Sequence, residues 1–480
     1  MSACTETRQQ MLSYWKGHGK PSLEMMMLDS NAASIADRET QEILGMLPPV
    51  DGLDVVELGA GIGRFTKHLA PLAGSLHASD FMQNFIDKNR EDNGHHSNLT
   101  LAVADATQMT MPADCCDLVF SNWLFMYLDD EEVRGVFARI LDWLRPGGHF
   151  FFRESCFHRS GSVARTDNPT KYRSPQKYNE LLLEAAYGSH RFGHVFTRPS
   201  RTYVSTKGNR NQMCWLVRKT PLSSPDEIDR MKAAHKSLMN GPSDEKLEFV
   251  LAEGSEAAAL CDYLGVQPGE TVLDVGCGLG DTSCLLAKKY DANVIGFDIA
   301  GPLISLALQR ANQLGVQNVL FELADIETCE LYEEETFDVI YCRDVMHYVT
   351  DKGSVLAKFY KWLKPGGRLC LTDYCPLKNQ PNTVDDSSAD VSAAYSRDAY
   401  ISALKSAGFA DSTVTTDDLT PRFESAALAK CRILEQARHL FVQQFNESSR
   451  FEQAQVNWQR RLAMCQSGEL AWILYHVTKQ

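Results

Sequence analysis

One ordered set of residues occurs twice in this chain of 480 residues, and that repetition constrains the fold more than any other feature. Val56-Glu57-Leu58-Gly59-Ala60-Gly61-Ile62-Gly63 returns as Leu273-Asp274-Val275-Gly276-Cys277-Gly278-Leu279-Gly280. Each copy follows a short apolar run. Each is followed by an acidic residue ending a second such run, Asp80 or Asp298, and then by another, Asp105 or Asp325. Each closes with a Trp-Leu-basic-Pro-Gly-Gly block, at Trp143–Gly148 and at Trp362–Gly367. The offset between copies stays within 217 to 220 residues, so a whole domain is repeated. Apolar runs of strand length alternate with helix-period segments, which predicts an α/β fold with a mostly parallel, doubly wound sheet in each half.

The first half reads as strands over 53–58, 75–79, 99–104, 117–121 and 149–153, with a helix over 131–144. Before them, Met11, Tyr14, Trp15, Ile35, Ile43 and Leu44 recur at near-helical spacing and predict a helical cap ending at Pro48-Pro49. After them come strand-like runs at Thr202–Ser205 and Met213–Val217. Ser223-Ser224-Pro225-Asp226 marks a linker, so domains are expected at 1–222 and 223–480. The second core spans 271–375, and the tail carries a helix-period stretch at 427–445 and a strand-like run at 470–477. Hydrophobic content of 44% and charged content of 23% describe a soluble globular protein without an apolar run of membrane-spanning length. The first residues carry no secretory signal. The 14 cysteines are scattered without metal-ligand spacing, so no metal site is expected and reduced thiols in the cytoplasm are. A net charge of −14 opposes a broad nucleic-acid surface. A monomer or weak homo-oligomer is expected.

A glycine-rich turn between strand and helix lets backbone approach a ligand closely. Nicotinamide enzymes share that pattern. The acid just before the turn, Glu57 or Asp274, and the later Pro-Gly-Gly block favour a different cofactor. A sulfonium nucleoside bearing an amino acid suits an acidic turn better than a pyrophosphate does. Asp80 and Asp298 are placed to accept ribose hydroxyls, and Asp105 and Asp325 to meet an adenine amino group, at the carboxyl ends of parallel strands. Any one of these acids, taken alone, reads as a solvated loop residue. The duplicated ordered set is instead the layout of a Rossmann-like domain dependent on S-adenosylmethionine, a methyltransferase domain, here twice in tandem.

Several blocks resemble the phosphoethanolamine N-methyltransferase family of plants, nematodes and protists. They are Glu57–Thr66, Phe120–Leu124, Phe152–His158, Asn168-Pro169-Thr170 with Tyr172-Arg173, Gln212–Trp215, and the entry Tyr14-Trp15 with Met26–Ser30. The tandem length is similar to that of the plant type. The resemblance implies methyl transfer from S-adenosylmethionine to the nitrogen of phosphoethanolamine, towards phosphocholine. It implies a donor site on Gly59, Gly61, Gly63, Arg64, Asp80, Phe81, Asp105, Ala106 and Asn122. In the second half it implies one on Asp274, Gly276, Gly278, Asp298, Asp325 and Arg343. It implies an acceptor site on Tyr14, Ser155, Ser160, Gly161, Arg165 and Tyr172, with Tyr14 and Asn122 catalytic. Hydroxyls, a glycine turn and guanidinium groups together suit a phosphate dianion. The rings of Tyr14, Trp15 and Trp123 suit a growing methylammonium. A buried core tyrosine is the other reading of Tyr14. A methyltransferase for another amine or acid, and a cofactor-sensing scaffold, are the rival functions.

The second half matches mainly in its cofactor landmarks and in Thr372–Cys375. By alignment, the family's tyrosine-histidine pair falls on Tyr14 and Met126 in the first half. In the second it falls on His235 and Tyr348, with His347 beside the latter. Either the pair survives there with its members exchanged, or this half has lost acceptor chemistry and serves structure or regulation. The stretch Asn382–Ser392 contains Asp385, Asp386 and Asp390, which would repel a phosphate, and this favours the second reading. Tyr395, Arg397 and Tyr400 are candidate remnants of a phosphate site.

Overall fold

The computed structural model describes residues 13–15, 22–27, 32–157, 170–185, 188–222, 260–261, 263–377, 395–428, 456 and 459–480. The chain divides into two compact units, Met1–Ala234 and His235–Gln480. The expected linker at 223–226 lies outside the described residues, as do Met11, His235 and most of the helix-period stretch at 427–445.

The first unit holds β1 (Asp54–Leu58), β2 (Ser75–Asp80), β3 (Leu99–Val103), β4 (Cys116–Asn122), β5 (Leu144–Ser155), β6 (His190–Pro199) and β7 (Gln212–Pro221). Their order in the sheet is β6-β7-β5-β4-β1-β2-β3. Strands β1 to β5 pair in parallel, and β7 runs antiparallel between β5 and β6. The central strands β1 and β4 are buried over nearly all their residues, and their buried stretches are apolar except at Glu57 and Ser121. The second unit repeats the plan with β8 (Thr271–Val275), β9 (Asn293–Asp298), β10 (Val319–Ala324), β11 (Phe337–Arg343), β12 (Leu363–Pro376), β13 (Thr415–Asp418) and β14 (Leu470–Thr478). Its order is β13-β14-β12-β11-β8-β9-β10. The equivalence extends to single residues with positive φ: Asp114 answers Glu335, Trp123 answers Asp344, and Gly59, Gly61 and Gly63 answer Gly276, Gly278 and Gly280.

The basic residue of each Pro-Gly-Gly block is a structural tie. Arg145 bonds Asp117 at 2.6 Å and Asp54 at 2.8 Å, and Asp117 also accepts the Asp54 N–H, so the start of β1 is pinned to β4. Lys364 and Asp338 repeat this in the second unit, where Asp338 accepts the Thr271 N–H.

The first unit's parallel strands form where the sequence put them, β1 to β4 within one residue at each end and β5 with a start five residues earlier, at Leu144. Thr202–Ser205 forms no strand: it lies in a helix, Arg201–Lys207. Its β-branched residues favour a strand locally, but a distant carboxylate overrides them. Glu42 accepts the N–H groups of Arg201 and Thr202 and the Ser200 hydroxyl, capping the helix from the neighbouring helix Ala32–Leu44. Gly208, at φ +59°, ends it. Strand β6 had no separate sequence signal.

Candidate active sites

In the first unit the turn after β1 carries Gly59, Gly61 and Gly63, all at positive φ. Gly63 is also required by packing. A Cβ there would sit 2.3 Å from Asn89 Oδ1 and 2.4 Å from Asn93 Nδ2. Those amides belong to a buried chain in which Asn93 donates to Asn89, Asn89 to the Thr66 hydroxyl, and Thr66 to Glu57 Oε2 at 2.6 Å. Glu57 is buried, and desolvation raises its carboxyl to about 8. At the end of β2, Asp80 Oδ2 accepts the Gly61 N–H and Oδ1 the Met82 N–H, both at 2.9 Å. Each oxygen keeps a lone pair free for a further donor such as a ribose hydroxyl. Burial lifts this carboxyl to about 6.

Glu57, Asp80, Gly59 and Arg64 line one pocket together with Phe81, Asn122, Trp123 and Tyr127. Its apolar wall comes from Trp15, Met27, Phe65 and Phe85. Met26 lies over the glycine turn, 2.4 Å from where a Cβ on Gly61 would be, and its flexible thioether can yield to a ligand. The Oδ1 of Asn122 is buried without a hydrogen-bond partner among the described residues. Acid, base, polar amide and aromatic wall thus converge as a nucleoside with an amino-acid tail requires.

Beneath this pocket lie Glu39 and Arg153, neither of which the sequence singled out as a site residue. Glu39, fully buried, is shared by Arg64, at 2.8 Å, and by Arg153, which is itself fully buried. The Arg153 guanidinium lies 3.9 Å over the Trp123 ring, and Arg64 lies 4.4 Å over Phe65. Trp123 therefore already carries a cation, which opposes its expected use against a methylammonium. Of the two rings left for that role, Trp15 lines the pocket and is in edge contact with Tyr14 at 5.5 Å and Tyr127 at 5.4 Å. The Trp123 indole donates to Gln212, which donates to the Ser155 hydroxyl.

Other expected site residues are placed differently. Asp105 accepts from Thr107, and neither it nor buried Ala106 is among the residues lining the pocket. Ser155 is buried and committed to Gln212. Tyr172 lines a separate surface groove with Asp129, Asp130, Glu131, Lys171 and Arg173. Its three acids disfavour a phosphate there. Arg173 is a clamp, bonded to Asp130 and to the carbonyls of Phe125 and Leu128. Ser160, Gly161 and Arg165 lie outside the described residues.

In the second unit Asp274 is buried, accepts from Ser283, and is raised to about 6 by desolvation, against which the Arg343 charge works. Asp298 accepts the N–H groups of Gly278 and Ala300, repeating the Asp80 pattern, and burial raises it. Asp325 accepts the Glu327 N–H, and Arg343 ends β11 at the place of Asn122. The turns after β4 and β11 correspond residue by residue: Phe125–Tyr127 answers Met346–Tyr348. Met126 therefore matches His347, and Tyr127 matches Tyr348. The alignment that put the family's histidine at Met126 in one half and Tyr348 in the other joined non-equivalent positions. His347 is buried and bonds Asp373 through Nδ1 at 2.8 Å, with Nε2 unpartnered among the described residues, whereas Tyr348 is 65% exposed. Tyr400, a candidate phosphate remnant, is instead fully buried and bonded to Asp373.

Comparison with known proteins agrees with this geometry. Methyltransferase-domain family models match residues 55–148 and 267–427. A phosphoethanolamine N-methyltransferase of Arabidopsis thaliana is 38% identical, with 99% of this chain and 99% of that protein covered. One of Triticum aestivum is 36% identical over 99% of this chain and 96% of its own length. A solved structure of Haemonchus contortus phosphoethanolamine N-methyltransferase 1, in complex with phosphoethanolamine and S-adenosylhomocysteine, superposes with a TM-score of 0.68 at 23% identity. It covers 100% of this chain and 98% of that one, and it supports the fold. Two methyltransferase units in tandem and full-length identity to these relatives establish that the chain belongs to the phosphoethanolamine N-methyltransferase family.

Proposed function

We infer that this protein is an S-adenosylmethionine-dependent methyltransferase that methylates phosphoethanolamine on nitrogen, and that the first unit carries the reaction. The observation that carries the reading is the convergence of Glu57, Arg64, Asp80 and Asn122 in one pocket of a chain with full-length identity to this family. S-adenosylmethionine, when bound, supplies a sulfonium methyl group. Glu57 and Arg64 would hold its amino-acid end, and Asp80 its ribose.

The chain's own task is to present an uncharged amine in line. Apolar walls from Trp15, Phe81 and Phe85 exclude water and so lower the pKa of an ammonium. Asn122 Oδ1 is an acceptor for an amine N–H and so aims the lone pair elsewhere. The ammonium proton leaves to solvent as the amine enters, and the buried Tyr14 hydroxyl is the candidate to hydrogen-bond the amine and orient it. The acceptor's phosphate is assigned to the segment that ends at Arg165, with Arg165 as its main cation. Among the described residues no helix is long and apolar enough to cross a membrane, and the described cysteines are free, which supports a reducing, cytoplasmic setting.

For the second unit the reading favoured is a donor-binding module that does not methylate phosphobases. The exposure of Tyr348 and the commitment of His347 to Asp373 support it.

The test is incubation of the full chain with labelled S-adenosylmethionine and a panel of phosphorylated amino alcohols. Labelled N-methylphosphoethanolamine is expected. Donor binding without label on any phosphobase would reject the reading. In the same assay Arg165→Ala is expected to raise the phosphoethanolamine KM about tenfold or more while leaving the donor KM within about twofold. An unchanged acceptor KM would remove Arg165 from the phosphate site.

A further inference from the structure

Two guanidinium groups share one buried carboxylate under the donor pocket. Arg64 and Arg153 against Glu39 leave one positive charge in excess. Arg153 and Glu39 are fully buried, and the Arg64 side chain is 15% exposed. Arg153 Nε and Nη2 and both Arg64 Nη1 and Nη2 have no hydrogen-bond partner among the described residues, Nη1 meeting Glu39 as an ion pair alone. An excess buried charge costs several kcal/mol unless an anion answers it. Burial pulls the Arg64 guanidinium down, and Arg153 pulls in the same direction, against the attraction of Glu39. Of the three groups, Arg64 lines the pocket, beside Glu57. An acid and a base side by side complement a zwitterionic α-amino acid. A phosphate dianion would meet Glu57 as a like charge.

The second unit is built otherwise. Asp281 and Thr372 stand where the first has Arg64 and Arg153, and Arg343 stands where it has Asn122. The cation that acts on the acid of its glycine turn, Arg343 on Asp274, comes from the end of the fourth strand of that unit. In the first it comes from the glycine turn, braced by the fifth strand.

We propose that Arg153 is a positioning residue for the methyl donor's carboxylate in the first unit. It fixes Glu39 from below, so that Glu39 holds Arg64 at one edge and leaves the remaining guanidinium nitrogens for the donor. The bound carboxylate then neutralises the excess charge. The proposal rests on the assignment of this pocket to the donor.

Calorimetric titration with S-adenosylmethionine, and with its decarboxylated analogue, tests it. The protein is the full-length chain carrying Asp298→Ala, so that the first pocket is read. The parent protein should bind S-adenosylmethionine about tenfold or more tighter than the analogue. Arg153→Met should weaken S-adenosylmethionine about tenfold and the analogue less than about twofold, and Arg153→Lys should recover part of the loss. Arg153→Met with Glu39→Gln removes both members of the brace and leaves the net charge of the group unchanged, should the single variant fold poorly. It should show the same loss of discrimination. Equal weakening of both ligands, or none, overturns the proposal. If Arg64→Met abolishes discrimination and both Arg153 variants retain it, the positioning role fails while the donor assignment stands. If the parent protein does not discriminate, the donor assignment fails and takes the proposal with it.

Discussion

Glu57 has two states that the donor distinguishes. Its carboxyl is raised from 4.5 to about 8 because burial penalises the charged form. The folded chain therefore holds a proton that the unfolded chain releases at lower pH. The stability this contributes is full below about 4.5 and is lost as pH rises through about 8. A cationic donor favours the ionised form, so donor binding at pH 7 should release about one proton from this site, and affinity should strengthen from pH 6 to 8. Titrations in buffers of different ionisation enthalpy measure that proton, and Glu57→Gln should abolish its release. Proton uptake would contradict the assignment. Asp274 sits lower, at about 6, so the second pocket adds less at neutral pH. Gly63 makes a different prediction. Gly63→Ala should cost more than the roughly 1–2 kcal/mol of left-handed backbone alone, because the new Cβ meets the Asn89–Asn93 amides. Thermal melting should show the first unit losing several degrees or more.

The most informative elements are those whose sequence spoke for another structure. The helix Arg201–Lys207 starts on Glu42, a residue 159 positions from Arg201. Glu42→Ala removes acceptors for two backbone N–H groups and a hydroxyl, and should destabilise the first unit by about 1–3 kcal/mol without changing the donor pocket. Urea unfolding checks the first claim and donor affinity the second. The turn after the fourth strand teaches the same lesson. In the first unit Glu154 Oε1 and Oε2 accept the N–H groups of Leu124, Phe125 and Met126. In the second, the shorter Asp373 takes His347 Nδ1, the Tyr374 N–H and Tyr400. The bridge from this turn to the last strand of each unit is kept with its partners exchanged. Trp123 donates to Gln212 in one unit, and Trp472 donates to Asp344 in the other.

At the scale of the whole molecule, one fold was duplicated and its two donor turns were kept, while the charges around them diverged. Asp80→Ala in the full chain should abolish methylation of phosphoethanolamine, whereas Asp298→Ala should leave it within about threefold. Product analysis by mass spectrometry, repeated with the mono- and dimethyl substrates, checks both. Loss of their turnover in Asp298→Ala, with the first methylation intact, would make the second unit a working enzyme.

Tandem α/β units, the parallel strands and the glycine-acid donor landmarks were all written in the sequence. Each depends on residues close along the chain: strand periodicity, positive-φ glycines, and an acid at a strand end. The Glu39 brace and the Glu42 cap depend on residues brought together across 114 and 159 positions, and the correspondence of Met126 with His347 is one of place in two separate turns, Phe125–Tyr127 and Met346–Tyr348. No local pattern encodes them. Burial made those charges matter, because the same Arg153 in water would be an ordinary surface cation.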